Sequence, residues 1–99
     1  MKGRPAITRE GAEEVAIQAL TFIAGDATRL GRFLAVTGIG PAEIREAARE
    51  PQFLAGVLDY LIADERLLTA FSVEVGLDLD LIVEAHGTLG GTPWERDLP

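Results

Sequence analysis

The sequence predicts an all-α domain, a compact bundle of about six short helices. Apolar residues recur every three or four positions along most of the chain, which is the spacing of one helix face. Capping residues and glycines divide these stretches into segments of ordinary helix length. The alternation of apolar and polar residues that is typical of strands does not persist beyond a few positions. The 99 residues suffice for one hydrophobic core and not for two.

Three helices are predicted in the first half of the chain. Thr8 is a suitable N-cap for the first helix, which extends to Gly25. Asp26 caps the second helix, and Gly38 ends it because glycine accepts the left-handed conformation that closes many helices. Pro41 begins a short third helix, since proline at the first helical position sacrifices no hydrogen bond.

Three more helices are predicted in the second half. Pro51 opens a strongly apolar fourth helix, which we expect at the centre of the core. Asp64 caps the fifth helix and Gly76 ends it, in the same way as their counterparts in the first half. Asp78 caps the sixth helix, and Gly90 begins the glycine pair that ends it.

An internal repeat divides the predicted domain, which covers residues 8–91 between a flexible arm at 1–7 and a tail at 92–99. Shifting the sequence by 38 residues aligns 15–48 with 53–86 and makes eight of the 34 pairs identical. Roughly two or three identities are expected by chance. The identical pairs fall on caps, helix stops and inward positions: Leu20/Leu58, Asp26/Asp64, Leu30/Leu68, Phe33/Phe71, Gly38/Gly76, Ile44/Ile82, Glu46/Glu84 and Ala47/Ala85. We therefore predict two pseudo-repeated three-helix units, packed face to face.

Composition and charge limit the classes of function. The chain has no cysteine, which excludes disulfides and cysteine nucleophiles and favours a cytoplasmic location. No apolar stretch is long enough to span a bilayer, so no membrane association is expected. The net charge of −7 is uneven, because residues 1–49 hold seven basic and six acidic side chains whereas residues 50–99 hold two and ten. Any contact with nucleic acid is therefore expected in the first half.

The turn between the second and third helices is the sharpest functional motif. Gly38, Ile39 and Gly40 form a Gly-apolar-Gly sequence that resembles the helix-hairpin-helix motif, which offers backbone amides to a DNA phosphate. Residues 29–49 also hold four arginines that can supply counter-charge: Arg29, Arg32, Arg45 and Arg49. The structural alternative is a stop glycine followed by Pro41 at a helix start. The turn either binds phosphate weakly and without sequence preference, or is only structural.

Two further residues stand out by type. His86 is the only histidine, and spacing places no catalytic partner beside it, so we interpret it as a helix-end residue without a catalytic role. Trp94 is the only tryptophan and lies in the tail, where it either anchors a protein partner or folds back over its own bundle. No catalytic residue, metal site or cofactor is predicted.

Several short runs over about residues 10–90 are distinctive: Leu30–Ala35, Thr37–Gly38, Pro41, Ile44–Arg45, Pro51, Phe53–Leu54, Val57–Asp59 and Asp64–Glu65. Together they resemble a family of short bacterial proteins described only as domain of unknown function 3572. The resemblance implies a small cytosolic bacterial protein and assigns no activity and no functional residue.

The sequence as a whole favours a non-enzymatic helical module that binds an unidentified protein partner. A homodimer is also compatible, because a bundle of short helices leaves some apolar surface uncovered. The alternative is sequence-independent DNA binding through Gly38–Pro41 and the four arginines.

Overall fold

The computed structural model describes residues 7–90, which form helices joined by short turns. The elements in chain order are α1 (Arg9–Ala24), α2 (Ala27–Thr37), a 3-10 turn (Pro41–Glu43), α3 (Ile44–Ala47), α4 (Pro51–Ala63), α5 (Glu65–Val75) and α6 (Leu79–Leu89). Residues 7–90 contain no strand, so the predicted all-α fold is confirmed. Most of the predicted arm (1–6), the residues from 91 onwards, and with them Trp94, lie outside the described residues.

The helix starts follow the predicted caps, with one exception. Thr8 begins α1 and accepts a hydrogen bond of 2.9 Å from the backbone amide three residues on. Asp26 and Asp64 cap α2 and α5, and each accepts from the amide two residues on, at 3.0 and 3.1 Å. Asp78 occupies the N-cap position of α6, but its side chain accepts no capping hydrogen bond. Its carboxylate therefore contributes only its charge near the helix N-terminus.

Two glycines end helices in the left-handed conformation that the sequence predicts. Gly38 closes α2 with φ of 74°, and Gly76 closes α5 with φ of 80°. Each donates its amide to the carbonyl four residues earlier, which completes the last turn. A side chain at either position would be strained by the backbone conformation itself.

Helix α1 contributes the most residues to the hydrophobic core. It buries seven residues, among them Ala12, Ala16 and Ala19, whereas α4 buries four. It packs against α2, α4, α5 and α6. The prediction that α4 forms the centre therefore understated α1, because small alanines let neighbouring helices approach closely without making a conspicuous apolar run.

Aromatic rings connect the two halves of the chain reciprocally. The ring of Phe22 on α1 packs against Phe71 on α5, with centroids 5.4 Å apart. The ring of Phe33 on α2 packs edge-on against Tyr60 on α4, at 5.1 Å. In the 38-residue alignment Phe22 corresponds to Tyr60, and Phe33 corresponds to Phe71. The two contacts therefore join equivalent positions, and each unit supplies a ring to the other.

The third elements of the two predicted units differ. In the first unit this element is the 3-10 turn followed by the four residues of α3, and neither part buries a residue. In the second unit it is the eleven-residue α6, which buries Ile82, Ala85 and Leu89 and packs against both α1 and α4. The two halves share caps, helix stops and ring contacts in their first two helices, and duplication of the whole unit stays a prediction.

The N-terminal end of the described chain is attached to the last helix. The amide of Ile7 donates to Oε2 of Glu84 on α6 at 3.0 Å, and the Ile7 side chain packs against the core. The sequence placed Ile7 at the end of a flexible arm. The structure instead joins this residue to the bundle.

Candidate functional site

The amides of the predicted phosphate-binding turn already have acceptors. The Gly38 amide donates to the carbonyl of Leu34 at 2.8 Å, and the Ile39 amide donates to Oγ1 of Thr37 at 3.3 Å. The Gly40 amide donates to Oε1 of Glu43 at 3.0 Å. The three amides that the helix-hairpin-helix interpretation assigns to a DNA phosphate are therefore engaged within the turn.

Glu43 places a carboxylate at the amide of Gly40. Its amide donates to the carbonyl of Gly40 at 2.9 Å, as in any 3-10 turn, while its carboxylate accepts from the Gly40 amide, which is the half of a capping box that the N3 residue supplies. A carboxylate thus occupies the place where a phosphate oxygen would approach, and its charge would repel one. The geometry favours the structural interpretation of the turn, and DNA binding stays a prediction without support from it.

The four arginines border different pockets or lie exposed. Arg29 lies with its guanidinium carbon 4.2 Å from the centroid of the Phe22 ring and its Nε 3.7 Å from the Asp26 carboxylate. Arg29 and Arg32 together border a small pocket of about 80 Å³ near Tyr60. Arg45 lines a different cleft, which is described below. Arg49 follows α3 and is exposed.

Two open clefts flank the C-terminal half of α1. The first, here called the α1–α5 cleft, has a volume of about 440 Å³ and is lined by Ile17, Gln18, Thr21, Phe22, Gly25, Arg29, Glu74 and Val75. The exposed side chain of Ile17 lies in its wall, 46 % accessible. The cleft holds one charge of each sign, from Arg29 and Glu74.

The second cleft, here called the α1–α3 groove, has a volume of about 450 Å³. It is lined by Leu20, Thr21, Ala24, Leu30, Pro41, Ile44, Arg45 and Ala48. Thr21 belongs to both clefts, so together they form one surface around the exposed face of α1, here called the α1 surface. Arg45 is the one charged residue among the lining residues of the groove.

A comparison with known protein families identifies the family of the chain. The model of the family described as protein of unknown function (DUF3572) matches residues 9–92. The chain belongs to this family. The resemblance found in the sequence is thereby confirmed, and the match spans all the helices that line both clefts. No curated protein and no solved structure matches the chain.

This DUF3572 chain also holds a polar contact that the sequence did not predict. Nε2 of His86 on α6 lies 3.2 Å from Oδ1 of Asp59 on α4. The imidazole is 13 % exposed and the carboxylate 66 % exposed. The two residues are far apart in the chain, so only the packing of α6 on α4 brings them together.

The 38-residue alignment relates the His86–Asp59 contact to the α1–α3 groove. In the 38-residue alignment Asp59 corresponds to Thr21, and His86 corresponds to Ala48. Thr21 and Ala48 both line the α1–α3 groove. The second half therefore joins its two positions by a polar contact between α4 and α6, whereas the equivalent positions of the first half line an open groove.

Two classes of feature are absent from the described part of this DUF3572 chain. Residues 7–90 contain no group of three or more His, Asp or Glu side chains placed to hold a metal ion. None of the helices within the same range combines the length and the apolar character needed to cross a bilayer.

Proposed function

We propose that this DUF3572 chain is a non-enzymatic protein-interaction module that binds its partner through the α1 surface. The proposal is supported chiefly by the two clefts that share Thr21, each more than 400 Å³ in volume. Open grooves bordered by aliphatic side chains favour association with another polypeptide. We also propose a cytoplasmic location, which is supported by the lack of cysteine.

The local charges support a protein partner over DNA. The α1–α5 cleft includes Glu74, and the Gly40 amide is capped by Glu43, so a polyanion would meet carboxylates in both places. Phosphate contacts require uncompensated basic groups, and Arg29 is already close to Asp26. Protein interfaces commonly combine an apolar centre with a polar rim, and the α1 surface has both.

Site-specific photo-crosslinking tests the proposal. A benzophenone amino acid is placed at position 21, and a matched copy carries it at position 69, an exposed threonine that lines a separate cleft of about 460 Å³ on α5, outside the α1 surface. We expect a protein to be captured at 21 and not at 69. A product of twice the mass of the chain would identify the partner as a second copy.

The captured protein is then purified, and its affinity is measured for the wild type and for two variants. We expect Thr21→Glu to weaken binding about tenfold or more, because it places a charge between the two clefts, and Thr69→Glu to change it less than about twofold. Equal capture at positions 21 and 69, or equal affinities of the two variants, contradicts the proposal.

A further inference from the structure

The α1–α3 groove is an open apolar site beside the shortest α-helix of residues 7–90. In the second half, the eleven-residue α6 covers α4 and buries Ile82 completely. In the first half, the short α3 leaves Ile44, the counterpart of Ile82, only half-buried beside the groove. Ile44 is thus available to an occupant of the groove, whereas its counterpart is covered within the bundle.

The lining of the groove selects the chemistry of an occupant. Its walls are aliphatic, with Leu20, Leu30 and Ile44 among the lining residues, so apolar side chains are favoured inside it. Arg45 lies at this lining, is exposed, and forms no salt bridge within residues 7–90. An unpaired guanidinium beside an apolar groove favours a carboxylate on the bound segment.

The nearby carboxylates leave this preference intact. Glu43 turns its carboxylate back onto the Gly40 amide, and neither Glu43 nor Glu46 is among the lining residues of the groove. Arg45 is thus the one charged group among the lining residues of the groove, and its sign favours an acidic partner.

We infer that the α1–α3 groove binds an acidic amphipathic helix of a partner protein, whose apolar side chains enter the groove and whose carboxylate pairs with Arg45. This inference rests on the proposed function and gives the class of partner. A helix is favoured because α1 and α3 border the groove on its two sides, and the apolar anchors of an amphipathic helix follow such a groove at spacings of three, four and seven residues.

Two labelled model peptides provide the probes. Both carry leucines at the same helical spacings, and the remaining positions are glutamates in one peptide and lysines in the other. Fluorescence anisotropy measures their binding to the wild type and to two variants, Arg45→Glu and Arg49→Glu. These variants change the net charge equally, but Arg49 is not among the lining residues of the groove.

We expect the wild type to bind the glutamate peptide about tenfold more tightly than the lysine peptide, against the pull of its overall negative charge. We expect Arg45→Glu to abolish this preference and Arg49→Glu to change it less than about twofold. A groove-filling variant, Ala24→Trp, is expected to weaken both peptides, since Ala24 is exposed and lines the groove.

Three results overturn the inference: no binding of either peptide, a preference for the lysine peptide, or equal effects of the two charge reversals. These failures are distinct from failure of the proposed function. Crosslinking at position 21 can still capture a partner that enters the α1–α5 cleft instead.

Discussion

Replacement of Phe33 by alanine tests the central packing of the bundle. The side chain of Phe33 is completely buried, and its ring meets Phe53 at 6.1 Å and Tyr60 at 5.1 Å, both edge-on. Removal of a buried phenylalanine costs about 3–5 kcal/mol through lost burial and the cavity left behind. Each ring pair adds about 0.5–1.5 kcal/mol. The loss for Phe33→Ala is therefore expected near 5 kcal/mol, the upper end of the range of about 3–5 kcal/mol. A domain of this size has a free energy of unfolding of about 5–15 kcal/mol, so the loss is a large part of the total.

Urea unfolding followed by circular dichroism at the helical band measures this loss. For a slope of about 2 kcal/mol per molar urea, a loss of about 5 kcal/mol lowers the midpoint by about 2.5 M. Phe71→Ala removes one ring contact, with Phe22, where Phe33→Ala removes two, so its loss is expected to be smaller by about 1 kcal/mol. Val73→Ala serves as the control, because Val73 is 77 % exposed and its truncation is expected to change stability by less than about 0.5 kcal/mol. If Phe33→Ala unfolds at the same urea concentration as Val73→Ala, the core assignment is wrong.

Three further predictions concern backbone conformation, capping and a polar contact, each measured by urea unfolding. Gly38→Ala is expected to destabilise the fold by about 1–2 kcal/mol because φ at this residue is positive. Gly56→Ala is the control and is expected to stabilise the fold by about 0.5–1 kcal/mol, because Gly56 lies in the middle of α4 with open space around it. Stability changes of the same sign would contradict the left-handed conformation of Gly38. Glu43→Ala removes the acceptor of the Gly40 amide and is expected to cost about 1 kcal/mol and to speed hydrogen exchange of that amide, whereas unchanged exchange would show that the cap does not form. A double-mutant cycle with Asp59→Asn and His86→Gln is expected to give a coupling of no more than about 1 kcal/mol because Asp59 is largely exposed, and a coupling of zero would show that the contact contributes nothing.

Features that depend on neighbouring residues in the chain could be predicted from the sequence. Asp26 and Asp64 cap their helices, and Gly38 and Gly76 end theirs, because each of these roles is decided within a few residues. The sequence also contains a local signal, at Glu43, that the sequence analysis did not use. Glu43 stands three residues after the cap at Gly40, which is the spacing of a capping box and already indicates an occupied amide.

Features that depend on how helices pack could not be predicted in this way. The α1–α3 groove lies beside α3, which is only four residues long, and the sequence indicated that this helix is short without showing what surface lies uncovered beside it. The contact between His86 and Asp59 requires α6 to lie on α4 at a particular register. Helical periodicity identifies an inward face, but it does not identify the neighbour on which that face packs.

The reciprocal ring contacts have a consequence for assembly. Phe22 finds its partner on α5 and Phe33 finds its partners on α4, so a fragment that ends before Pro51 lacks the rings that complete its interior. Neither fragment of a chain cut at this point is expected to fold alone, whereas an equimolar mixture is expected to reconstitute the bundle. By the same reasoning, two intact molecules can form a domain-swapped dimer, in which the segment between α3 and α4 connects the two bundles. Apart from contacts of this segment, such a dimer would use only contacts that the monomer already makes.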